Sequence, residues 1–278
     1  MNTNVTECPS FTIRAGGIWD YVSPSRLGLW LRCPLAFRFR YIDGIEVPAS
    51  PSLFLGKMVH RGLRWYYEAR QAGEALQTAE LCRRLASYWE EAAEEEGFSA
   101  DSAGESEALK RQAAGLLAAY AQQVPADEPP SLAVETPLEA PLVDPGTGED
   151  LGLPLVGITD LVLKAPEGLV IVDFKTSARA AAPLEITHEI QLTSYTYLLR
   201  HVFGEEEAGL AIRSLVKTKT PQVQVHRYGR GTEVHFRRLF AAMRAYLVDL
   251  EAGRFVYRPG LACSMCEHAE THCRHWSP

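Results

Sequence analysis

Two aspartates and a lysine interrupt an apolar, β-branched stretch in the middle of the chain. The segment VGITDLVLKAPEGLVIVDFKT runs from Val156 to Thr176 and carries Asp160, Asp173 and Lys175. Buried carboxylates without partners are costly, and two that lie side by side repel each other. A divalent cation between them removes both penalties, and hard oxygen ligands suit Mg²⁺ or Mn²⁺. The pattern therefore predicts a metal site in a buried hairpin.

Lys175 adds a positive charge to the same place. It lies two positions after Asp173, so the period-two alternation of a strand puts both side chains on one face. There the ammonium can hold an attacking water or a non-bridging phosphate oxygen, where negative charge develops. These groups indicate metal-dependent hydrolysis of a phosphodiester. The competing interpretation is an inert ion pair at the end of a strand, because an Asp-x-Lys tripeptide is common by chance.

Three further polar side chains are spaced to reach this place. His60 follows Gly56 in GKMVH near an expected helix start, and its imidazole can complete the coordination of a cation. Gln191 and Tyr195 are four residues apart on the predicted helix ITHEIQLTSYTYLLRHVFG, so they share one face of it. Each has a plainer interpretation, His60 as a partly buried structural histidine and the other two as a polar rim.

The strands that must carry these groups follow from residue alternation and turn-forming residues. Three are predicted around LAVETPLEAPLV, PLVGITDLVLK and LVIVDFKT, with turns between them that contain proline and glycine. Two more are predicted over GLAIRSLVKTK and QVQVHRY. Asp160 and Asp173 would then lie on adjacent strands, with their side chains at the same end of the sheet.

Helices are predicted on either side of these strands in the sequence. Ser23 is a capping serine before a proline at the first helical position, and another helix is expected from Gly56. Residues 75–98 and 105–123 are rich in Ala, Glu and Leu and predict two solvent-facing helices. A long amphipathic helix is expected to end at Gly253.

Composition narrows the class of protein. The chain has 278 residues, of which 46% are hydrophobic and 23% charged, and a net charge of −7 that disfavours non-specific wrapping of nucleic acid. No apolar run is long enough for a membrane span, and the amino-terminal residues do not resemble a secretory signal, so a cytoplasmic protein is expected. No repeat or strong linker divides the chain. We expect a single domain over residues 1–278, with a helical insertion over about residues 70–125.

The cysteines predict a second metal centre. Cys263, Cys266 and Cys273 are close in the carboxyl-terminal tail, and three thiols so near each other can bind one soft metal centre. A fourth ligand is needed, and Cys33 is the best candidate. Spacing alone allows tetrahedral zinc or a [4Fe–4S] cluster. Zinc remains an alternative because a mixture of cysteine and histidine ligands would suit it, and three histidines are nearby: His268, His272 and His275.

Basic residues suggest where nucleic acid would bind. Arg32, Arg38 and Arg61 occur among aromatic residues near His60 in the sequence, and Lys217 and Lys219 are expected on a strand that could line the same groove. Arginines for phosphates and aromatic rings for base stacking are typical of a channel for single-stranded DNA. The plainer interpretation is a solvated face beside core aromatics.

The order of GKMVH, GITDLVL, IVDFKT and QLTSY resembles the PD-(D/E)XK nuclease superfamily. The nearest branch is that of the RecB-like exonucleases, with the iron–sulfur nucleases of the AddAB and CRISPR-associated type. The resemblance covers the chain from about Ser23 to Cys273, except for residues 75–123. It implies an α/β (α+β) fold of the restriction-endonuclease type, in which helices flank a central mixed sheet.

The resemblance also implies roles for individual residues. Metal contacts would come from His60, Asp160, Asp173 and the backbone carbonyl of Phe174. Lys175 would orient or activate the nucleophile, and the catalytic set would be completed on the phosphate side by Gln191 and Tyr195. The second acid is often glutamate in this superfamily, but the Asp-Phe-Lys-Thr form is common in this branch.

For the cysteines, the resemblance favours iron–sulfur over zinc. One early cysteine and a C-x-x-C-x(6)-C tail match the superfamily members that carry a [4Fe–4S] cluster. Such a cluster would join residues 23–45 to residues 260–278 and act as a mechanical staple of the fold.

Taken together, these features predict a Mg²⁺- or Mn²⁺-dependent deoxyribonuclease, an exonuclease acting on single-stranded DNA or DNA ends. Any helicase or CRISPR integrase partner would be a separate chain, because no nucleotide-hydrolysis motif is present. The alternative is a module of a repair or CRISPR adaptation complex that binds DNA ends without cutting them. In that case iron–sulfur or zinc would only stabilise the fold.

Overall fold

Five strands form one mixed sheet in which neighbours in sequence are neighbours in space. A computed structural model describes residues 17–180 and 185–276. The strands are β1 (Ser131–Val143), β2 (Asp150–Ala165), β3 (Gly168–Ser177), β4 (Glu207–Val216) and β5 (Gln222–Tyr228). All adjacent pairs are antiparallel except β3 and β4, which are parallel. The five predicted strands and the mixed sheet are therefore confirmed.

Helices cover both faces of this sheet. They are α1 (Pro24–Arg32), α2 (Pro34–Tyr41), α3 (Pro51–Gln71), α4 (Thr78–Glu95), α5 (Ala103–Gln123), α6 (Glu185–Phe203) and α7 (Glu233–Glu251). One hydrophobic core joins α1, α6 and α7 to the sheet, and the other joins α3, α4 and α5 to its opposite face. Burial on both faces explains the nearly continuous apolar runs of β2 and β3.

The helix that carries His60 begins earlier than the glycine from which it was predicted. Its first residue is Pro51, and the Ser50 hydroxyl accepts a hydrogen bond from the Leu53 N–H at 3.3 Å. This is the same serine–proline start that was recognised correctly for α1. As a consequence, His60 lies in the third turn of α3 instead of near its start.

The expected placement of Lys217 and Lys219 on a strand is wrong. β4 ends at Val216, so Lys217 and Lys219 lie in its connection to β5 and not on the strand. In the described part of the chain, the helices are too short or too polar to cross a membrane. The amino-terminal segment that does not resemble a secretory signal lies outside the described residues.

Candidate active site

The hairpin of β2 and β3 brings Asp160 and Asp173 to the same end of the sheet. Leu161 pairs with Val172 in the antiparallel register, and the two aspartates are the next residues beyond this last pair. The backbone N–H of Phe174 donates a 2.7 Å hydrogen bond to Asp160 Oδ2. The two acids predicted to share a site are thus neighbours, fixed by strand pairing and by this contact.

Lys175 joins this acidic pair to α6. Its Nζ lies 2.8 Å from Asp173 Oδ1 and 2.6 Å from Oδ2, and it donates to Gln191 Oε1 at 3.1 Å. Gln191 in turn donates from Nε2 to the hydroxyl of Tyr195 at 2.9 Å. The predicted common face of α6 is therefore confirmed, and it faces the Asp-x-Lys strand.

Both glycines of the sequence motifs allow helices to approach this site closely. A Cβ atom at Gly157 would lie 2.8 Å from Leu198 and 3.3 Å from Tyr195, so glycine is needed for α6 to pack on β2. A Cβ atom at Gly56 would lie 3.2 Å from the Thr176 hydroxyl, where α3 passes the end of β3. These contacts set the distance of the two helices from the acidic residues.

His60 reaches the site from α3. Its Nδ1 lies 3.6 Å from Asp160 Oδ1, and its ring meets the Phe174 ring edge-on with centroids 6.2 Å apart. Burial opposes protonation of this imidazole, but the contact with Asp160 outweighs burial and raises the pKa of His60. The structure thus places His60 beside the acid with which it was expected to share a cation.

The two carboxyl groups are in different electrostatic states. Burial raises the pKa of Asp173, although Lys175 acts in the opposite direction, and the neighbouring Asp160 raises it further. Burial also disfavours ionised Asp160, but its contact with His60 outweighs burial, and the pKa of Asp160 is lowered. The negative charge of Asp173 is therefore poorly compensated, which is the condition that a bound divalent cation relieves.

A third carboxylate, Glu135, lies beside the pair and was missed in the sequence. Val134 and Thr136 on β1 pair with Leu161 and Thr159 on β2, which places Glu135 opposite Asp160. Its φ of +40° is in the left-handed region, which is rare for residues other than glycine and frequent at functional sites. Burial and the charge of Asp160 raise the pKa of Glu135.

Strand β2 changes the direction of its side chains at this point. Leu155 belongs to the core beneath α6, whereas Leu161 and Leu163 belong to the core beneath α3–α5, although all three have odd numbers. Regular alternation would put them on one face. The change falls around Asp160, opposite the unusual backbone of Glu135, and it lets Asp160 contact α3 as well as β3.

His188 is another polar neighbour that sequence reasoning missed. It lies on α6, three residues before Gln191, so both side chains are on the same side of the helix. Burial and the nearby charge of Lys175 lower the pKa of His188, which leaves the imidazole neutral at pH 7. The helical spacing from Gln191 was the signal that could have identified it.

A buried polar network packs against the side chain of Phe174. Tyr67 stacks on its ring at 6.1 Å and Tyr120 meets it edge-on at 5.6 Å. The two hydroxyls are 2.6 Å apart, and Arg213 Nη1 donates to them at 2.8 and 2.6 Å. Glu128 accepts from Tyr67 at 2.9 Å and pairs with Arg213 at 2.6 Å. This network joins α3, α5 and β4 behind the strand that carries the acids.

The arrangement of donors suits a hard cation after a small rearrangement. Within residues 17–180 and 185–276, no three His, Cys, Asp or Glu side chains are grouped so as to hold a metal ion. At this site the Lys175 ammonium lies against both oxygens of Asp173. Asp173 is only 1% exposed, and its Oδ2 accepts no hydrogen bond despite the short contact. This buried oxygen is available to a cation if the ammonium moves aside.

The four cysteines predicted as ligands line a single cavity of about 300 Å³. Cys33 lies between α1 and α2, Cys263 and Cys266 belong to a turn of 3₁₀ helix and its end, and Cys273 ends the next helical turn. All four are free thiols, and burial together with the other three raises the pKa of Cys273. The structure brings them together, but not into a closed coordination shell.

The three histidines that left zinc as an alternative metal differ in burial and in their distance from the cysteine cavity. His268 lines the cysteine cavity, is 1% exposed, and neither of its ring nitrogens has a hydrogen-bond partner. His272 contacts the His268 ring at 5.6 Å, whereas His275 is exposed. The donor set around the cavity therefore remains four thiols with one adjacent imidazole, which suits either zinc or an iron–sulfur cluster.

Arg32 and Arg38, predicted to bind DNA, lie in two different surroundings. Arg32 lines the cysteine cavity, and Arg38 pairs with Asp43 at 3.2 Å. The aromatic residues next to them are not available to nucleic acid, since Phe37 and Phe39 are buried in the protein. Phe37 and Phe39 therefore fit the plainer interpretation as core aromatics.

The other predicted DNA-binding residues lie nearer to the acidic pair. Arg61 is adjacent to His60 on α3. Lys217 donates to the Ser52 hydroxyl at 2.8 Å in the first turn of the same helix, and Lys219 is exposed nearby in sequence. These three residues stay candidates for contacts with a substrate at this end of the sheet.

Comparison with known proteins adds an independent finding. A family model described as PD-(D/E)XK nuclease superfamily matches residues 21–274. The crystal structure of a candidate exonuclease from Eubacterium rectale aligns with a TM-score of 0.56 at 15% identity, over 93% of this chain and 94% of that one. The crystal structure of SSO0001 aligns with a TM-score of 0.50 at 12% identity, over 96% and 91%. A search of curated proteins finds no match.

Proposed function

The chain belongs to the PD-(D/E)XK nuclease superfamily, and from this premise we propose that it is a Mg²⁺- or Mn²⁺-dependent deoxyribonuclease. The observation that carries the proposal is the meeting of Asp160, Asp173 and Lys175 at one end of the sheet, with Gln191 bonded to the lysine. An exonuclease acting on single strands or DNA ends is the more specific form of the proposal. It is supported by the motif resemblance and by the description of one structural neighbour.

The cation would be held by His60, Asp160, Asp173 and the backbone carbonyl of Phe174. When bound, it would activate a water molecule and stabilise charge on the leaving 3′-oxygen. Asp160 is already oriented for this task, since the N–H of Phe174 and the imidazole of His60 hold its two oxygens.

Lys175 would act on the phosphate and the nucleophile. Its Nζ has three protons, and its contacts with Asp173 and Gln191 leave it partly exposed at the site. A substrate phosphate can therefore compete for the ammonium, which would place positive charge where negative charge develops during in-line attack. Gln191, fixed by Tyr195, would keep the ammonium in this position.

One observation favours the alternative of a module that binds DNA without cutting it. The close contact of Lys175 with both oxygens of Asp173 is what an inert ion pair would show. Digestion of labelled single-stranded DNA in Mn²⁺ and in EDTA distinguishes the two functions. The nuclease proposal requires Mn²⁺-dependent products that Asp173→Ala and Lys175→Ala do not form, whereas equal inertness of all three proteins supports the binding module.

We also propose that the cysteine cavity holds a [4Fe–4S] cluster, with zinc as the alternative. Four thiols around one cavity supply the required number of ligands, and they connect α1 and α2 to the carboxyl-terminal turns. The cluster would act as a mechanical staple and not in the hydrolysis. A cluster would favour the iron–sulfur branch of the superfamily. The protein would then have a RecB-like or CRISPR-associated role, with a helicase or integrase on a separate chain.

Replacement of Cys266 by serine tests the cluster. Protein purified without oxygen is expected to contain about four iron atoms per chain, and Cys266→Ser is expected to lose both iron and solubility because the staple is removed. Cys82→Ser is the matched control, since the Cys82 thiol donates to the Ala114 carbonyl in the helical layer and does not line the cysteine cavity of the described structure. A soluble, colourless and fully active Cys266→Ser protein would refute this role, and zinc in place of iron would establish the alternative.

A further inference from the structure

A basic stripe runs along α3 beside the candidate active site. Lys57, Arg61 and Arg64 are four and three residues apart, so their side chains follow one face of the helix. His60 borders this stripe and contacts Asp160 on its other side. The stripe therefore runs beside the acidic pair, and its last member, Arg64, pairs with Glu135 at 3.6 Å.

Helix α4 extends this stripe with stacked arginines and aromatic rings. The Arg84 guanidinium lies 4.2 Å above the Trp65 ring, and the Arg61 guanidinium lies 5.2 Å above the Tyr88 ring. Trp65 and Tyr88 meet edge-on with centroids 5.7 Å apart. Each arginine thus stacks on a ring from the other helix. We call these four residues the arginine–aromatic ladder.

The two arginines of the ladder differ from their basic neighbours in charge pairing. Among the described residues, neither Arg61 nor Arg84 forms an ion pair, whereas Arg83 pairs with Glu80 and Arg64 with Glu68. Stacking occupies the flat face of a guanidinium and leaves its N–H edge free for phosphate oxygens. Since the rings already hold the two side chains, less conformational entropy is lost when they bind a ligand.

Carboxylates flank the ladder on one side. Lys57 is paired with Glu96, and the Tyr88 hydroxyl with Glu95, so carboxylates occupy the end of α4 that follows the ladder. The open positive charge is that of Arg61 next to the site and Arg84 further along. In a chain with net charge −7, two guanidinium groups that lie over aromatic rings and form no ion pair within the described residues favour a polyanion.

We propose that the arginine–aromatic ladder binds a single strand of DNA on one side of the bond that is cut. Arg61 and Arg84 hold phosphates of the same strand, and the half-buried Tyr88 ring offers a surface to a base. Cations combined with aromatic rings are typical of surfaces that bind single-stranded nucleic acid. The inference rests on the proposed function and adds the helical layer of α4, which the motifs do not reach, as the part that selects the single strand.

The test measures binding apart from cleavage. A fluorescent single-stranded oligonucleotide is titrated with the full-length chain in EDTA, and Arg84→Gln is compared with Arg83→Gln. The two variants lose the same charge from adjacent exposed positions of α4. Arg84→Gln should weaken binding by about tenfold and lower the salt dependence by about 0.7 in the log–log slope, the value for one lost phosphate contact on a single strand. Arg83→Gln should bind like the wild type.

A second variant and a second substrate keep the test independent of folding. Tyr88→Leu leaves both arginines in place but removes the ring beneath Arg61, and it should also weaken binding while its melting temperature stays close to that of the wild type. Equal affinities for Arg84→Gln and Arg83→Gln would overturn the proposal. A larger loss on a matched duplex than on the single strand would overturn it as well.

Failure of this inference can be told apart from failure of the nuclease proposal. A wild-type protein that cuts DNA in Mn²⁺ but binds equally well after Arg84→Gln refutes the ladder and leaves the nuclease intact. A wild-type protein that does not cut, but loses affinity on Arg84→Gln, supports the ladder and refutes the nuclease.

Discussion

Replacement of Asp173 by asparagine is expected to reduce DNA cleavage by at least about a thousandfold, because it removes a carboxylate needed to hold the cation. The fold should survive this change. Asp173 is buried, and its ionised form is disfavoured there, so a neutral side chain of the same shape relieves a cost in the metal-free protein. The melting temperature of the variant should therefore be equal to or above that of the wild type at pH 7.5.

The pH dependence of stability gives this prediction a second readout. The folded-state pKa of Asp173 is raised from 3.8 to about 6, so the acid form contributes stability that is complete below pH 4 and is lost as the pH rises through 6. Metal-free wild type should lose stability over this range, and Asp173→Asn should lose less. Asp127→Asn, at an exposed position, is the control and should match the wild type in cleavage and stability. An Asp173→Asn protein that cuts normally would refute the assigned role.

Replacement of Lys175 by methionine is expected to lower the cleavage rate by about a hundredfold to a thousandfold, which is the usual effect of removing one donor to a developing negative charge. Cation binding should not weaken. The ammonium lies against both oxygens of Asp173, so it competes with a cation for them, and its removal frees those oxygens. We therefore expect Lys175→Met to bind Mn²⁺ at least as tightly as the wild type while it cuts slowly.

This separation of binding from chemistry distinguishes a catalytic lysine from a structural one. If Lys175 only neutralised Asp173, its loss would change the melting temperature and leave the cleavage rate nearly unchanged. Lys164→Met provides the control, because Lys164 is exposed on β2 and forms no ion pair within the described residues. Single-turnover cleavage and Mn²⁺ titration on the same preparations give the two quantities.

The part of the site that lies on regular elements could be predicted from the sequence. Asp173 and Lys175 follow the period of two in a strand, and Gln191 and Tyr195 follow the period of a helix, so local geometry was enough to orient them. Their meeting through the Lys175–Gln191 hydrogen bond agrees with that expectation.

Residues that depend on long-range pairing could not be predicted in this way. Glu135 enters the site because β1 pairs with β2 and because its backbone leaves the usual strand conformation, and neither property is visible in a short window. Like Asp160 and Asp173, Glu135 is an acidic residue within a strand, and this property is the only signal that the sequence offers for it. This signal pointed to two of the three carboxylates.

The buried network behind Phe174 was also invisible in the sequence. Tyr67, Tyr120, Glu128 and Arg213 come from four separate segments, and only the fold brings them together. Glu128 and Arg213 are paired with each other and bonded to the tyrosines, although Glu128 Oε1 and Arg213 Nε accept or donate no hydrogen bond of their own. Here the network joins the helical layer to the strand that carries the acids.

Binding of Mn²⁺ to the metal-free protein, followed by the electron paramagnetic resonance of free Mn²⁺ at pH 7.5, tests most directly whether the acidic pair holds a cation. The wild type is predicted to remove Mn²⁺ from solution in a saturable manner. Asp160→Asn and Asp173→Asn are each predicted to lose this binding, and Asp127→Asn to keep it. Equal Mn²⁺ binding by all four proteins, or none by the wild type, would contradict the account.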